Sequence, residues 1–432
     1  MDTTTTPPNA GDWFGQPRGL TFLFLTEMWE KFSFYGMRTL LVYYMIKQLR
    51  FAQGDASLLY GLYSGGVYLT PIAGGYIADR WLGRRRAVII GGLLMALGHF
   101  TLTQEALFYP ALTLIALGNG LFLPNLPSQV EDLYAANDVR RGGAYNVYYV
   151  GVNIGALLAP LVCGTLGEVY GWHWGFGAAG IGMCLGLAIF VAGGRHLPSD
   201  AGQRRSALDA AARADAARSA YATTPAVIAL LLIGLGAIVF RIAYEQSGNV
   251  LAVWADTSVD RSVLGWRVPV TWMQTLNPLL VFLLTPPVVA GWRRAARRGR
   301  EPRAIVKMSL GAAGMGASYL VLALAAWLAD ASGAPAHWSW VVLFFAIYTA
   351  AELYILPIGI GLFAGLAPHG MRATLIAAWF LSSFAGNLLS GVAGSWWGRL
   401  SPTAFFMLMA AISVASAAML FATSPLLRRL GR

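Results

Sequence analysis

At 432 residues the chain is 57% hydrophobic and only 12% charged, with a mean hydropathy of +0.57. A soluble domain carries about 25% charged residues, so this composition excludes a large globular enzyme and fits a polytopic membrane protein. The net charge of +11 does not indicate nucleic-acid binding, because the cations fall in the short segments between apolar stretches. Cys163 and Cys184 both lie in apolar runs and read as packing residues, not as a disulfide or metal pair.

The start, Met1-Asp-Thr-Thr-Thr-Thr-Pro-Pro, has neither a charged n-region nor an apolar h-region. The first helix is therefore expected to serve as its own insertion signal. Apolar stretches of roughly 20 residues place twelve helices at about 20–46, 58–78, 87–104, 107–130, 143–166, 174–194, 225–253, 269–290, 304–328, 338–366, 373–397 and 401–424. An even count puts both termini on one side. If that side is the cytoplasm, its segments hold 23 of the 31 Lys and Arg, and the opposite side holds five. This positive-inside asymmetry sets the orientation. Six helices, a polar break and six more give a domain reading of 1–194, a cytoplasmic linker 195–224 with a short surface helix near 207–218, and 225–432. That layout resembles the major facilitator fold, an all-α membrane protein of two six-helix bundles around a central cavity. Pro124, Pro127, Pro278 and Pro357 are expected to bend their helices. The Ala/Arg-rich loops suggest a bacterial inner membrane.

The first helix breaks the apolar pattern. Glu27, Glu30, Lys31, Tyr35 and Arg38 fall within an arc of about 140° at roughly 100° per residue. Four unpaired charges mid-bilayer would cost on the order of 10–14 kcal/mol. They are expected to face a wet interior and to neutralise one another, as on a solute or proton pathway. Counting Glu245, Glu352 and Arg241 as well, four intramembrane carboxylates face three cations. One carboxylate is thus left without its own cation. It either takes up a proton or stays wet and ionised.

Glu27-x-x-Glu30-Lys31-Phe32-x-Phe34-Tyr35-Gly36 resembles the E-x-x-E-R-F-x-Y-Y-G signature of the proton-dependent oligopeptide transporter family. Further strings resemble the family in the same order: Gly74–Arg86 between helices 2 and 3, Gly118–Asn125, Tyr149–Ala156, Tyr244–Gly248, Trp272–Pro278, Glu352–Gly359 and Trp379–Asn387. The resemblance implies a symporter that imports di- and tripeptides with protons by alternating access. It needs no metal or other cofactor, and its partners are peptides, protons and the bilayer; the chain is read as a monomer. The alternatives are a facilitator of another small anion or zwitterion with weakened coupling, or a substrate sensor without transport. An enzyme is not expected, since no nucleophile–base pair or metal spacing accompanies the carboxylates.

By the same resemblance Arg38 would hold the peptide carboxylate, which suits a planar guanidinium. Glu352 would take the ammonium with Asn153 and Asn277. Tyr35 and Tyr68 would add hydroxyls, and Trp379 and Ser383 would line side-chain pockets. Glu27, Glu30, Lys31 and Glu245 would couple protons, and Asp79, Arg80 and Arg84 would form a gating latch. Glu131 and Asp132 read as a solvated helix end. The chain departs from the family at two informative places: Leu123 stands where relatives carry a lysine, and Arg241 where they usually carry tryptophan. Residues 241 and 245 share a helix face, so Arg241 is a candidate replacement for the missing cation.

Overall fold

The computed structural model describes residues 15–134, 138, 140–197, 224–366 and 372–429. The expectations for the N-terminal start and for a surface helix near 207–218 lie outside these residues. Among them the chain forms twelve membrane-length helical segments. In the first half these are α1 (Arg18–Lys47), α2 (Gln53–Ile77), α3 (Arg84–Thr101), α4 (Phe108–Phe122, resumed as Asn125–Glu131), α5 (Arg141–Ala159) and α6 (Trp172–Ala192). In the second they are α7 (Thr224–Tyr244, resumed as Val250–Ser258), α8 (Leu276–Arg297), α9 (Ala304–Ser332), α10 (Ser339–Leu353, resumed as Leu356–Leu366), α11 (Arg372–Gly394) and α12 (Pro402–Ala422).

Eight of these contain a stretch apolar enough to cross a bilayer on composition alone. The α1 segment does not, because Glu27, Glu30 and Lys31 interrupt its middle. Large side chains such as Leu62, Leu231, Leu283 and Met407 are at least half exposed. In water that surface would drive association; in lipid it is the solvated face.

Proline interrupts some of these helices and not others, for Pro71 of α2 and Pro286 and Pro287 of α8 lie inside unbroken ones. Pro124 and Pro357 sit at the interruptions of α4 and α10. Pro278 lies instead in the first turn of α8, whose amides lack an intrahelical acceptor, and that helix is not broken there. After Pro160, α5 widens into two π-type turns, Pro160–Gly164 and Leu166–Tyr170. The link between α7 and α8 carries a small hairpin, Ser262–Val263 paired with Trp266–Arg267, turning through Leu264 and Gly265 at positive φ.

The halves are tied together from the cavity to the end opposite the termini. There Lys47 Nζ lies 2.6 Å from Asp256 Oδ2, and Glu168 Oε1 lies 3.2 Å from Arg261 Nη1. Glu168 also accepts from the Val270 and Thr271 amides at 3.1 and 3.3 Å, capping the turn that leads into α8. Tyr43 Oη donates to the Ala252 carbonyl at 3.0 Å and Trp272 Nε1 to Thr165 Oγ1 at 2.7 Å. At the end bearing the termini, Arg84 Nη1 lies 3.0 Å from Asp132 Oδ2, and Arg141 Nη2 lies 2.8 Å from Glu131 Oε2. Glu131 is exposed, as its reading as a solvated end expects, whereas Asp132 is partly buried in its pair with Arg84.

Close helix contact within the first half depends on glycine. A Cβ on Gly74 of α2 would run into the Gly120 carbonyl of α4, whereas a Cβ on Gly66 would meet nothing within 4 Å. Gly74→Ala is expected to lower the thermal unfolding midpoint in detergent by roughly 3–10 °C through overpacking. Gly66→Ala should leave that midpoint within about 1 °C or raise it, because alanine is the better helix former.

Candidate functional site

Between the halves lies a cavity of about 230 Å³. Eight of the residues singled out from sequence line it: Tyr35 and Arg38 on α1, Tyr68 on α2, Asn153 on α5, Arg241 on α7, Glu245 just after it, Asn277 on α8 and Glu352 on α10. Each half contributes charge. The site comes from helix faces that place polar side chains toward the centre and apolar residues toward neighbouring helices or lipid.

At the centre sits Glu245, 2% exposed. Arg38 Nη2 of the opposite half pairs with its Oε2, and Arg241 Nη1, one turn earlier on α7, lies 3.0 Å from its Oε1. Asn387 Nδ2 of α11 is 3.4 Å from the same Oε1. Arg38 Nε donates to Tyr60 Oη at 2.8 Å. Directly after Tyr244 the helix tightens into the 3₁₀ turn Glu245–Gly248, and a Cβ on Gly248 would collide with the Tyr60 hydroxyl. Glycine is required there for α2 to bring Tyr60 to Arg38.

Glu352, 9% exposed, has a different environment. Tyr244 Oη donates to its Oε1 at 2.8 Å and Asn277 Nδ2 to its Oε2 at 2.7 Å. Asn277 also reaches Thr349 Oγ1 at 3.1 Å, fixing its amide. Two lone-pair sites of the carboxylate are left for an incoming donor. Tyr244 and Glu245 are adjacent in sequence yet serve opposite ionic centres, since neighbouring residues on a helix diverge by about 100°.

Lys31 Nζ lies 3.3 Å from Glu27 Oε1 and 2.6 Å from Glu30 Oε2. These three residues form a separate buried cluster on α1 that does not line the cavity. Formal charge is thus unevenly spread. The Lys31 cluster carries one negative in excess, the Glu245 centre one positive, and Glu352 one negative balanced by neutral donors.

Trp379 and Ser383 are not among the lining residues. Trp379 is 3% exposed with its ring 5.2 Å from Phe363, and Ser383 Oγ donates to the Trp379 carbonyl at 3.1 Å. Asn153 lines the cavity while donating to the Tyr149 carbonyl at 2.9 Å. Asp79, Arg80 and Arg84 lie at the α2–α3 link. Arg84 Nε is 3.9 Å from Asp79 Oδ1, and Arg80 lies over the Tyr76 ring at 5.3 Å. Sequence reasoning passed over Tyr60, Tyr244 and Asn387. The last two stand inside strings already singled out, but Tyr60 had no signal beyond lying on α2.

A family model described as the POT family matches residues 85–218 and 211–397. A di-/tripeptide transporter of Lactococcus lactis subsp. cremoris is 34% identical over 87% of this chain and 89% of its own length. The peptide transporter YePEPT of Yersinia enterocolitica is 32% identical over 91% of this chain and 90% of its own. A crystal structure of a peptide transporter POT in complex with sulfate superposes with a TM-score of 0.86 at 31% identity, covering 96% of each chain. The arrangement of two six-helix bundles matches as a whole, and with it the expectation of a transporter rather than an enzyme. The chain belongs to the POT family, the proton-dependent oligopeptide transporters of the major facilitator superfamily.

Proposed function

We propose that the chain is a proton-coupled symporter that imports di- and tripeptides across a bacterial inner membrane, with both termini in the cytoplasm. The observation that carries this reading is the pair of opposed ionic centres in one cavity, Arg38 from the first half and Glu352 from the second. A cation and an anion facing one space suit a zwitterion of limited length and read its backbone rather than its side chains. Arg38 takes the carboxylate as a planar pair. Glu352, oriented by Asn277 and Tyr244, takes the ammonium. In the orientation given by the arginine distribution, the tied end is extracellular, so the described state faces inward.

In this cycle a proton on Glu245 removes the charge that holds Arg38 across the halves. Arg38 then turns to the peptide carboxylate, and release of peptide and proton to the cytoplasm restores the ion pair. Glu27, Glu30 and Lys31 act as a second proton-linked group on α1. Arg241 supplies the cation that relatives carry where this chain has Leu123. Its 3.0 Å contact with Glu245 supports that role. Asp79, Arg80 and Arg84 bias gating rather than holding the fold, because exposed pairs contribute only ~0–1 kcal/mol.

In liposomes, the purified chain is expected to exchange labelled dialanine in counterflow, and an inward pH gradient is expected to accumulate di- and tripeptides but not tetrapeptides. Absence of any counterflow would leave a sensor and remove the transporter. Glu352→Gln should weaken dialanine competition by about tenfold or more, as expected for a lost buried charge partner. Arg241→Ala should abolish most gradient-driven dialanine uptake; undiminished driven uptake would refute its coupling role.

A further inference from the structure

Two guanidiniums, Arg38 and Arg241, line one cavity and are held by a single carboxylate. They occupy different oxygens of Glu245, so each is one short step from having an anion of its own. Each also lies near a tyrosine, Arg38 with its guanidinium carbon 5.4 Å from the Tyr60 ring centroid and Arg241 with its own 5.3 Å from that of Tyr68. These contacts give each cation a partner at the cavity wall besides Glu245. The polar groups facing this carboxylate come from four helices: Arg38 on α1, Tyr60 and Tyr68 on α2, Arg241 and Tyr244 on α7, and Asn387 on α11.

Formal charge on the cavity wall sums to zero, with Arg38 and Arg241 against Glu245 and Glu352. The inference rests on the peptide-symport reading, in which Glu245 accepts a proton during the cycle. The wall then carries one net positive charge. A neutral dipeptide brings one carboxylate and one ammonium and leaves that excess buried. A peptide whose C-terminal residue bears a second carboxylate brings the wall back to neutrality and gives each guanidinium its own anion. The geometry points to a two-guanidinium seat that selects peptides with a C-terminal aspartate or glutamate, Arg241 being the specificity-determining residue.

The test uses the full chain in liposomes, with labelled dialanine counterflow at one pH and unlabelled Ala-Glu or Ala-Gln as competitor. These two differ in charge and hardly in shape. Ala-Glu is expected to half-inhibit at about a tenfold lower concentration than Ala-Gln. Arg241→Gln should bring that ratio to about one, while Arg241→Lys, which retains a point charge, should keep part of it. Where a variant has too little counterflow to score, calorimetric titration of the purified protein with the same two dipeptides gives the ratio. Ala-Gln competing as well as Ala-Glu against the unaltered chain overturns the inference while leaving peptide transport intact. A ratio unchanged by Arg241→Gln overturns it as well. If neither dialanine nor either competitor exchanges or binds, the peptide reading itself falls.

Discussion

The ion pair between Arg38 and Glu245 joins residues 207 positions apart and belongs to neither half alone. A carboxylate this deeply buried needs a cation, because leaving it unpaired costs several kcal/mol. Of its two cations, Arg241 lies one turn earlier on the same helix and Arg38 comes from the other bundle, so separating the halves removes one of two partners from Glu245. The local backbone supports the pairing. The 3₁₀ turn after Tyr244 splits two adjacent side chains between two ionic centres, and Gly248 admits the Tyr60 hydroxyl that steadies Arg38. Buried pairs seldom stabilise a fold more than apolar packing of the same volume would. The value of this pair lies in distinguishing one arrangement of the halves from another.

Charge elsewhere follows the same logic at lower cost. The tied end uses hydrogen bonds and two ion pairs, Lys47–Asp256 and Glu168–Arg261, together with a carboxylate capping the turn that enters α8. Lys47 is 42% exposed, so its pair is easily hydrated and can open without a large penalty. Gly61 of α2 meets Gly391 of α11 on the same seam, where two backbones in contact can slide with no side chain to climb over. In the proposed cycle the exposed Lys47–Asp256 pair is the weak tie between the halves, and the buried Arg38–Glu245 pair is the one that protonation releases.

Much of this was legible in the sequence. Twelve apolar segments, their arginine-rich ends and the charged stripe on the first helix give the architecture, because membrane-spanning helices have a fixed length and charge within them needs a partner. Eight of ten expected coupling and binding residues outside the Lys31 cluster line the cavity. Trp379 and Ser383 do not, and a single chain offers no means of telling an inward-facing polar residue from one bonded to its own helix backbone, as Ser383 is. Pro278 follows closely on the change from the 3₁₀ turn Val270–Thr275 to α8, a boundary that the apolar run alone does not mark. The partners of Arg38 and Glu352 were hardest to foresee. Tyr60 and Tyr244 lie far from them in sequence, and only the crossing of helices brings them near.

The uneven spread of charge gives the arrangement its direction. Glu352 holds a negative charge against neutral donors, while Arg38 and Arg241 hold two positive charges against one negative. In the proposed function a zwitterion entering this field is oriented before it touches a side chain, ammonium toward α10 and carboxylate toward α1, since the wall is a poor screen compared with water. Arg38 has its guanidinium edge already occupied by Glu245 and Tyr60. Its side-on fork, Nε with Nη2, is closed to a substrate carboxylate while both bonds are intact, and the end-on fork of Nη1 with Nη2 is the one left open. In the proposed cycle substrate and Glu245 compete for Arg38, and a proton that weakens Glu245 as a competitor strengthens the substrate. In the proposed cycle this competition is itself the coupling: a single guanidinium with two possible anions links binding, protonation and the relative position of the two bundles.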